Sequence, residues 1–425
     1  MSAPDVHRTI EAVWRIESAR IIGGLARLVR DVGLAEELAQ DALLSALETW
    51  PGSGIPDNPG AWLMTTAKRR GIDRIRRGKM QERKHEQIAR ALEARQEEGA
   101  AAVEAAADDH LGDDLLRLIF IACHPILPSD ARVALTLRLL GGLTTDEIAR
   151  AFLVSESAIA QRIVRAKRAL AEAAVPFEVP RGKDLAPRLS SVLDVIYLIF
   201  NEGYSATAGD HWVRPALCDE ALRLGRILTG LVANEAEAWG LVALMEIQAS
   251  RLRARVGPEG EPVLLLDQDR ARWDQLLIHR GLDALARAEA LGGALGPYAL
   301  QAAIAACHGR ARTADETDWG RIATLYRALA EVAPSPIVEL NRAVAVAMAG
   351  SPAEGLALVD TLAESGQLEA YHLLSAVRGD LLTKLGQGPE ARAEFERAAS
   401  LTRNNREREI LLQRAQRDTD GPTLR

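Results

Sequence analysis

TTDEIARAFLVSESAIAQRIVRAKRAL, residues 144–170, decides how this chain reads. Thr144 and Glu147 have the spacing of a capping box, so a helix starts there. Ile148, Ala151 and Phe152 give that helix an apolar stripe. Leu153 and Val154 interrupt the pattern, and Ser155 is a good N-cap for a second helix. In the second helix Ile159, Ile163, Ala166 and Leu170 fall on one face, while Ser157, Gln161, Arg165 and Arg168 fall on another. Two helices joined by a short turn, the second rich in Arg and Lys, make a helix-turn-helix, which lays its second helix in the major groove of DNA. A helix of this length spans roughly 24 Å, enough to cross a groove. Gln and Arg near its start suit base edges; Arg165, Lys167 and Arg168 suit phosphates. The alternative is an ordinary helical hairpin with a solvated basic face.

Working outward, the 425 residues have room for two to four domains. Ala, Leu, Arg and Glu dominate and apolar residues seldom alternate with polar ones, so the expected fold is all-α. The net charge of −7 is unusual for a DNA binder until it is divided. Residues 1–175 carry 24 basic and 25 acidic side chains, and the remainder carries 28 and 34. Lys68 to Arg90 holds ten basic residues and three acidic ones, whereas Glu93 to Asp114 is acidic apart from Arg95. Local basic patches, not net charge, decide DNA binding. Cys123, Cys218 and Cys307 are far apart in sequence, show no metal-ligand spacing and cannot all pair, which predicts a reduced, cytoplasmic protein. No signal-peptide pattern and no apolar run of roughly 20 residues is present, so membrane anchoring is not expected.

Four segments follow. Residues 5–90 form a first helical block, with helices over Val6 to Val29 and Leu34 to Thr49, a turn-rich loop from Pro51 to Pro59, and a third helix from Gly60. Residues 91–113 read as an acidic linker, and residues 114–175 as a second block ending in the helix-turn-helix. Pro176 to Pro187, PFEVPRGKDLAP, marks another boundary, and residues 176–425 form a larger helical region. In that region GQGPEARAEFERAASL, residues 386–401, resembles the second helix of a tetratricopeptide repeat. Gly379, Ala391, Phe395 and Ala398 fall at that repeat's small-residue and aromatic positions. The alternative is a non-repetitive bundle.

KRRGIDRIRR, residues 68–77, is a second basic element, with Trp62, Leu63 and Ile72 as its apolar anchor. So many cations cannot all be buried unpaired, so much of this helix faces water or phosphate. The order of these parts resembles the extracytoplasmic-function (ECF) sigma factors of bacterial RNA polymerase. GLAEELAQDALLSALETW (33–50) is similar to region 2.2, which docks on the β′ clamp helices. NPGAWLMTTAKRRGIDRIRR (58–77) is similar to regions 2.3 and 2.4, which recognise and help melt the −10 element. Residues 127–170 are similar to region 4, whose second helix reads the −35 element and whose domain contacts the β flap. YLIFNEGY (197–204), LLLDQDRARWD (264–274) and SPIVELNRAVAVAMAG (335–350) resemble a subgroup with a long tetratricopeptide-like extension implicated in controlling activity.

The resemblance implies roles residue by residue. Gln40 and Asp41 fall where region 2.2 meets polymerase. Asn58, Lys68, Arg69, Asp73, Arg74, Arg76 and Arg77 fall at the −10 element. Glu156, Ser157, Ala160, Gln161, Arg162, Arg165, Lys167 and Arg168 fall at the −35 element; Ala160 departs from the Lys or Arg common there. The melting segment lacks the aromatic run of housekeeping sigma factors, with only Trp50 and Trp62 nearby. Asn201, Glu202, Gly203 and Tyr204 are a candidate contact site for region 2 or region 4, or else a helix terminus with Gly203 left-handed. Asp267, Gln268, Asp269 and Arg270 read as a buried polar network or a solvated turn. The implied function is promoter-specific initiation with core RNA polymerase and promoter DNA as partners, regulation in cis, and no separate anti-sigma factor. The other reading is a one-component helix-turn-helix regulator with a helical sensing domain. No nucleophile–base set, phosphate loop or metal spacing is present, so neither an enzyme nor a cofactor or metal is expected.

Overall fold

The computed structural model describes residues 3–86, 111–206, 212–258 and 260–417. Among these residues the chain is helical, apart from short 3-10 turns and one isolated bridge between Val256 and Pro262. It divides into two compact units, residues 1–196 and 197–425.

In the first unit α1 (Ala3–Val29), α2 (Val32–Ser53) and α3 (Pro59–Glu86) pack pairwise. Ile10, Ile21, Leu25, Leu38, Trp50 and Leu63 are buried in that block. The Asp31 carboxylate accepts the Leu34 N–H at 2.9 Å and starts α2. That helix passes through Pro51, where the sequence suggested a loop, and stops at Gly54 with φ +86°. Proline's fixed φ is helical, and near a helix end it forfeits one hydrogen bond only.

The second block comprises α4 (Leu111–Ala122), α5 (Ser129–Leu139), α6 (Thr145–Phe152) and α7 (Glu156–Glu172). Most of the acidic linker expected over 91–113 lies outside the described residues; its last three residues already belong to α4. α4 packs along α1. There the buried Asp114 carboxylate meets Arg27 at 3.2 Å and Arg117 at 2.6 Å.

Pro176 to Pro187 is a bend with a 3-10 turn, and the division between units comes later, within α8 (Leu185–Tyr204). The first half of α8 belongs to the helix-turn-helix block. Ser191 Oγ donates to the Cys123 carbonyl at 2.6 Å, and Arg188 donates to the Phe120 carbonyl at 2.7 Å. A Pro-rich stretch marks where the chain turns, and packing on the helix-turn-helix block continues past it into the first half of α8.

The second unit continues with α9 (Pro215–Leu231), α10 (Ala236–Ala249), α11 (Gln275–Ala290), α12 (Pro297–Arg310), α13 (Trp319–Val332), α14 (Pro336–Met348), α15 (Pro352–Glu364), α16 (His372–Lys384), α17 (Gly388–Leu401) and α18 (Asn405–Arg417). From α12 onward each helix packs on the next. Gly379 of α16 lets Phe395 of α17 approach: a Cβ there would lie 2.8 Å from the ring. Gly355 serves α14 against α15 in the same way, where a Cβ would lie 2.7 Å from that of Ala347. Both glycines let consecutive helices of the array approach closely, one against a ring and the other against an alanine.

Candidate nucleic-acid interface

Local chemistry fixes the helix-turn-helix. Glu147 N–H donates to Thr144 Oγ1 at 3.1 Å and Thr144 N–H donates to the Glu147 carboxylate at 2.8 Å, completing the capping box. Burial would raise the Glu147 pKa, but the hydrogen bonds from Thr144 outweigh it and, with Arg15 alongside, hold the carboxyl below its usual range. Leu153 takes a left-handed conformation (φ +52°) in the turn, and Ser155 Oγ accepts the Ala158 N–H at 3.2 Å to start α7.

α7 then presents two faces. Ile159, Ile163, Ala166 and Leu170 are all buried, as their spacing required. In α6 Ala149 rather than Ala151 joins Ile148 in the core. Glu156, Ser157, Ala160, Gln161, Arg165 and Arg168 are exposed, and Arg168 pairs with Glu172 at 2.6 Å. Two expected contacts are otherwise engaged. Arg162 meets Asp130 of α5 at 3.0 Å. Lys167 is ion-paired with the buried Glu36 of α2, so in this arrangement it is not available to a phosphate. Sequence reasoning missed Val164, which is 63% exposed on the outward face. Its signal was an apolar residue four positions after Ala160 and four before Arg168, a setting suited to a thymine methyl.

On α3, Arg69, Asp73, Arg74 and Arg76 are exposed and Lys68 is half-buried; the Arg77 side chain lies outside the described part. Asn58 Oδ1 accepts the Ala61 N–H at 3.1 Å, so this side chain caps α3. Arg70, absent from the expected set, ties α3 to α2 by donating to the Asp41 carbonyl at 2.9 Å and to Ser45 Oγ at 2.5 Å. The Asp41 carboxylate lies 3.6 Å from Arg70, and Gln40 donates to Glu36 at 2.6 Å. Both expected polymerase contacts therefore have partners within the block. Trp50 is buried and meets Trp62 edge-on at 5.3 Å, so this pair holds α2 to α3.

Comparison with known proteins matches this layout. The family model for Sigma-70 region 2 covers residues 16–80, and that for Sigma-70, region 4 covers residues 117–170. The ECF RNA polymerase sigma factor SigK of Mycobacterium ulcerans (strain Agy99) is 33% identical over 159 residues, which are 36% of this chain and 78% of that relative. The chain belongs to the ECF RNA polymerase sigma factors. SigK of Mycobacterium tuberculosis (strain ATCC 25177 / H37Ra) is 32% identical over 161 residues, again 36% of this sigma factor and 78% of the relative. An uncharacterized protein of Rhizobium meliloti (strain 1021) is 45% identical over 384 residues, 90% of this chain and 89% of its own. The likeness there runs through the long C-terminal extension. A family of unknown function (DUF6596) matches residues 188–289, from α8 almost to the end of α11. No solved structure matches the chain. The family consists of transcription initiation factors that bind core RNA polymerase and promoter DNA.

In the extension, the candidate contact residues find partners close by. Glu202 is ion-paired with Arg214. Gly203 is inside the helix without a positive φ, so the left-handed terminus is not formed. It is small because Cys218 N would lie 2.7 Å from a Cβ at that position. Tyr204 lies under Arg255. The DQDR segment alternates: Gln268 and Arg270 are buried while Asp267 and Asp269 are exposed. Network and solvated turn are thus both present, on opposite sides of one short stretch. No described helix is long and apolar enough to cross a membrane.

Proposed function

We propose that this sigma factor grips a two-element promoter, α3 at the −10 element and α7 at the −35 element, with its extension regulating activity in cis. The two-faced α7 carries the reading: four apolar residues are sunk in the core, and Gln161, Val164 and Arg165 face outward on the same helix. Gln161 and Arg165 read bases, and Arg168 holds a phosphate. Lys68, Arg69, Arg74, Arg76 and Arg77 hold −10 DNA, with Asp73 among them. Gln40 and Asp41 exchange their internal partners for the β′ clamp helices, and the second block meets the β flap. No separate anti-sigma factor is required by this scheme.

Arg165→Ala is expected to weaken promoter binding by about 1–3 kcal/mol, roughly 5- to 150-fold, in a filter-binding titration with core enzyme. Unchanged affinity removes Arg165 from the interface. Specific duplex binding without core enzyme would favour the one-component regulator.

Regulation in cis is tested by truncation, and the position of the cut matters. Ending the chain at 175 removes the bonds of Arg188 and Ser191 to the Phe120 and Cys123 carbonyls. Ending it at 204 keeps them and all of α8. The 204 truncation is expected to change promoter-specific transcript yield relative to the full chain; equal yield at equal polymerase occupancy rejects regulation by the extension.

A further inference from the structure

Among the described residues, the extension gathers two buried arginines and a half-buried one with no carboxylate ion-paired to them. Arg251 and Arg270 are 8% and 9% exposed, and Arg255 is half-buried. Arg270 is held by backbone and hydroxyl oxygens: it donates to the His308 carbonyl at 2.7 Å, the Ala311 carbonyl at 2.8 Å and Thr317 Oγ1 at 3.0 Å. Arg255 donates to the Tyr204 carbonyl at 3.0 Å, and its guanidinium lies 3.8 Å from the Tyr204 ring centre and 5.2 Å from that of Trp212. Arg251 is the exception among them. Its guanidinium lies 5.6 Å from the Tyr204 ring and 5.7 Å from the Trp273 ring. Among the described residues it makes no side-chain hydrogen bond or ion pair, and its Nε is buried without a partner.

These like charges repel one another. Arg251 acts electrostatically on both Arg255 and Arg270. His308, 7% exposed, is pushed down to about 3 by burial and then by Arg251 and Arg270, so it stays neutral and offers no counter-charge. The acidic side chain that acts on Arg270, Glu316, is exposed and accepts the Arg312 N–H at 3.0 Å. Aromatic faces attract cations, but that attraction is small beside the cost of taking an unpaired guanidinium out of water. Two more buried acceptors or donors, Arg270 Nε and His308 Nδ1, also lack partners. A planar guanidinium with free donors is matched by an oxyanion, which takes two parallel hydrogen bonds.

We propose that Arg251, with Arg255 and Arg270 flanking it, binds the oxyanion group of a small molecule, a carboxylate or a phosphate, inside the extension. Tyr204 and Trp273 wall the site and hold the guanidiniums in place. The inference concerns the extension alone and stands whether or not the promoter scheme above does.

The test is calorimetric titration of the full chain with inorganic phosphate and, separately, with succinate at constant ionic strength. Saturable binding of one of them is expected, with a rise in Tm, and the one that binds identifies the chemistry. Arg251→Met keeps the length and loses the charge. It is expected to weaken binding by about tenfold or more, while its anion-free Tm stays at or above that of the parent because an unpaired buried cation is gone. Arg251→Lys, which keeps charge without the fork, is expected to bind at intermediate strength. Absence of saturable binding of either anion to the unaltered chain overturns the proposal, whatever the variants do. Binding that persists unchanged in Arg251→Met overturns it as well.

Discussion

Phe395→Ala is expected to destabilise the end of the extension by about 3–5 kcal/mol, the range for emptying a buried aromatic site. Phe395 is 1% exposed, and its core neighbours include Ala376, Ala391, Ala398, Ala399 and Ala415. The alanines cannot lengthen to fill the space, while Leu382 and Leu411 of the same cluster can lean into part of it, so a cavity persists and the cost falls within that range. Arg414 adds to it, because its guanidinium lies 4.5 Å from the Phe395 ring centre and loses that face. In a helical array the loss is local. Hydrogen exchange should show reduced protection in α16, α17 and α18 while α10 and α11 keep theirs. Gly379 sharpens the test. A Cβ there meets the Phe395 ring at 2.8 Å, so Gly379→Ala alone should cost about 1–3 kcal/mol through overpacking. In the Phe395→Ala background the same change should be neutral or stabilising, because the space is open and alanine suits a helix. Additive effects of the two substitutions would mean that the ring and the glycine do not meet.

What the sequence revealed and what it hid have a common physical cause. Periodicity is local, so it set both faces of α7, and the capping residues of α6 and α7 could be read within four positions of each other. The Gly379–Phe395 contact was legible because a repeat carries its packing partner at a fixed spacing. Contacts between elements without a repeat leave no such trace. Nothing around Lys167 announces that its charge is met by Glu36, and nothing around Asp41 points to Arg70. Residue type and spacing alone carried the reading of Lys167 and Asp41; their partners in the free chain come from helices far away in sequence. The same holds for Arg251, whose neighbours Tyr204, Arg270 and Trp273 come from two other stretches of the chain. The sequence showed a polar DQDR segment; only the fold shows that Gln268 and Arg270 turn inward while Asp267 and Asp269 turn out.

Glu36 supplies the second large effect. It is 3% exposed and joins α2 to two helices of the helix-turn-helix block. Its Oε1 accepts from Arg138 at 2.7 Å and from Gln40 at 2.6 Å, and its other oxygen meets Lys167. Removing a buried carboxylate strands its cations, and full burial would cost about 3–5 kcal/mol. The Arg138 and Lys167 side chains are 23% and 22% exposed, so each can draw in some water. Glu36→Ala is therefore expected to cost about 2–3 kcal/mol in urea unfolding of the first unit, below the range for fully buried pairs. Combining it with Lys167→Ala should recover part of that loss, a coupling of about 1–2 kcal/mol. Arg138 still has the Leu143 carbonyl at 3.1 Å, so it does not account for the whole effect. Promoter binding separates the roles of the two cations of α7. Lys167→Ala should lower stability with little effect on promoter affinity, while Arg165→Ala should do the reverse. A loss of promoter affinity in Lys167→Ala as large as in Arg165→Ala would mean that the Glu36 pair opens on DNA and that Lys167 holds a phosphate after all.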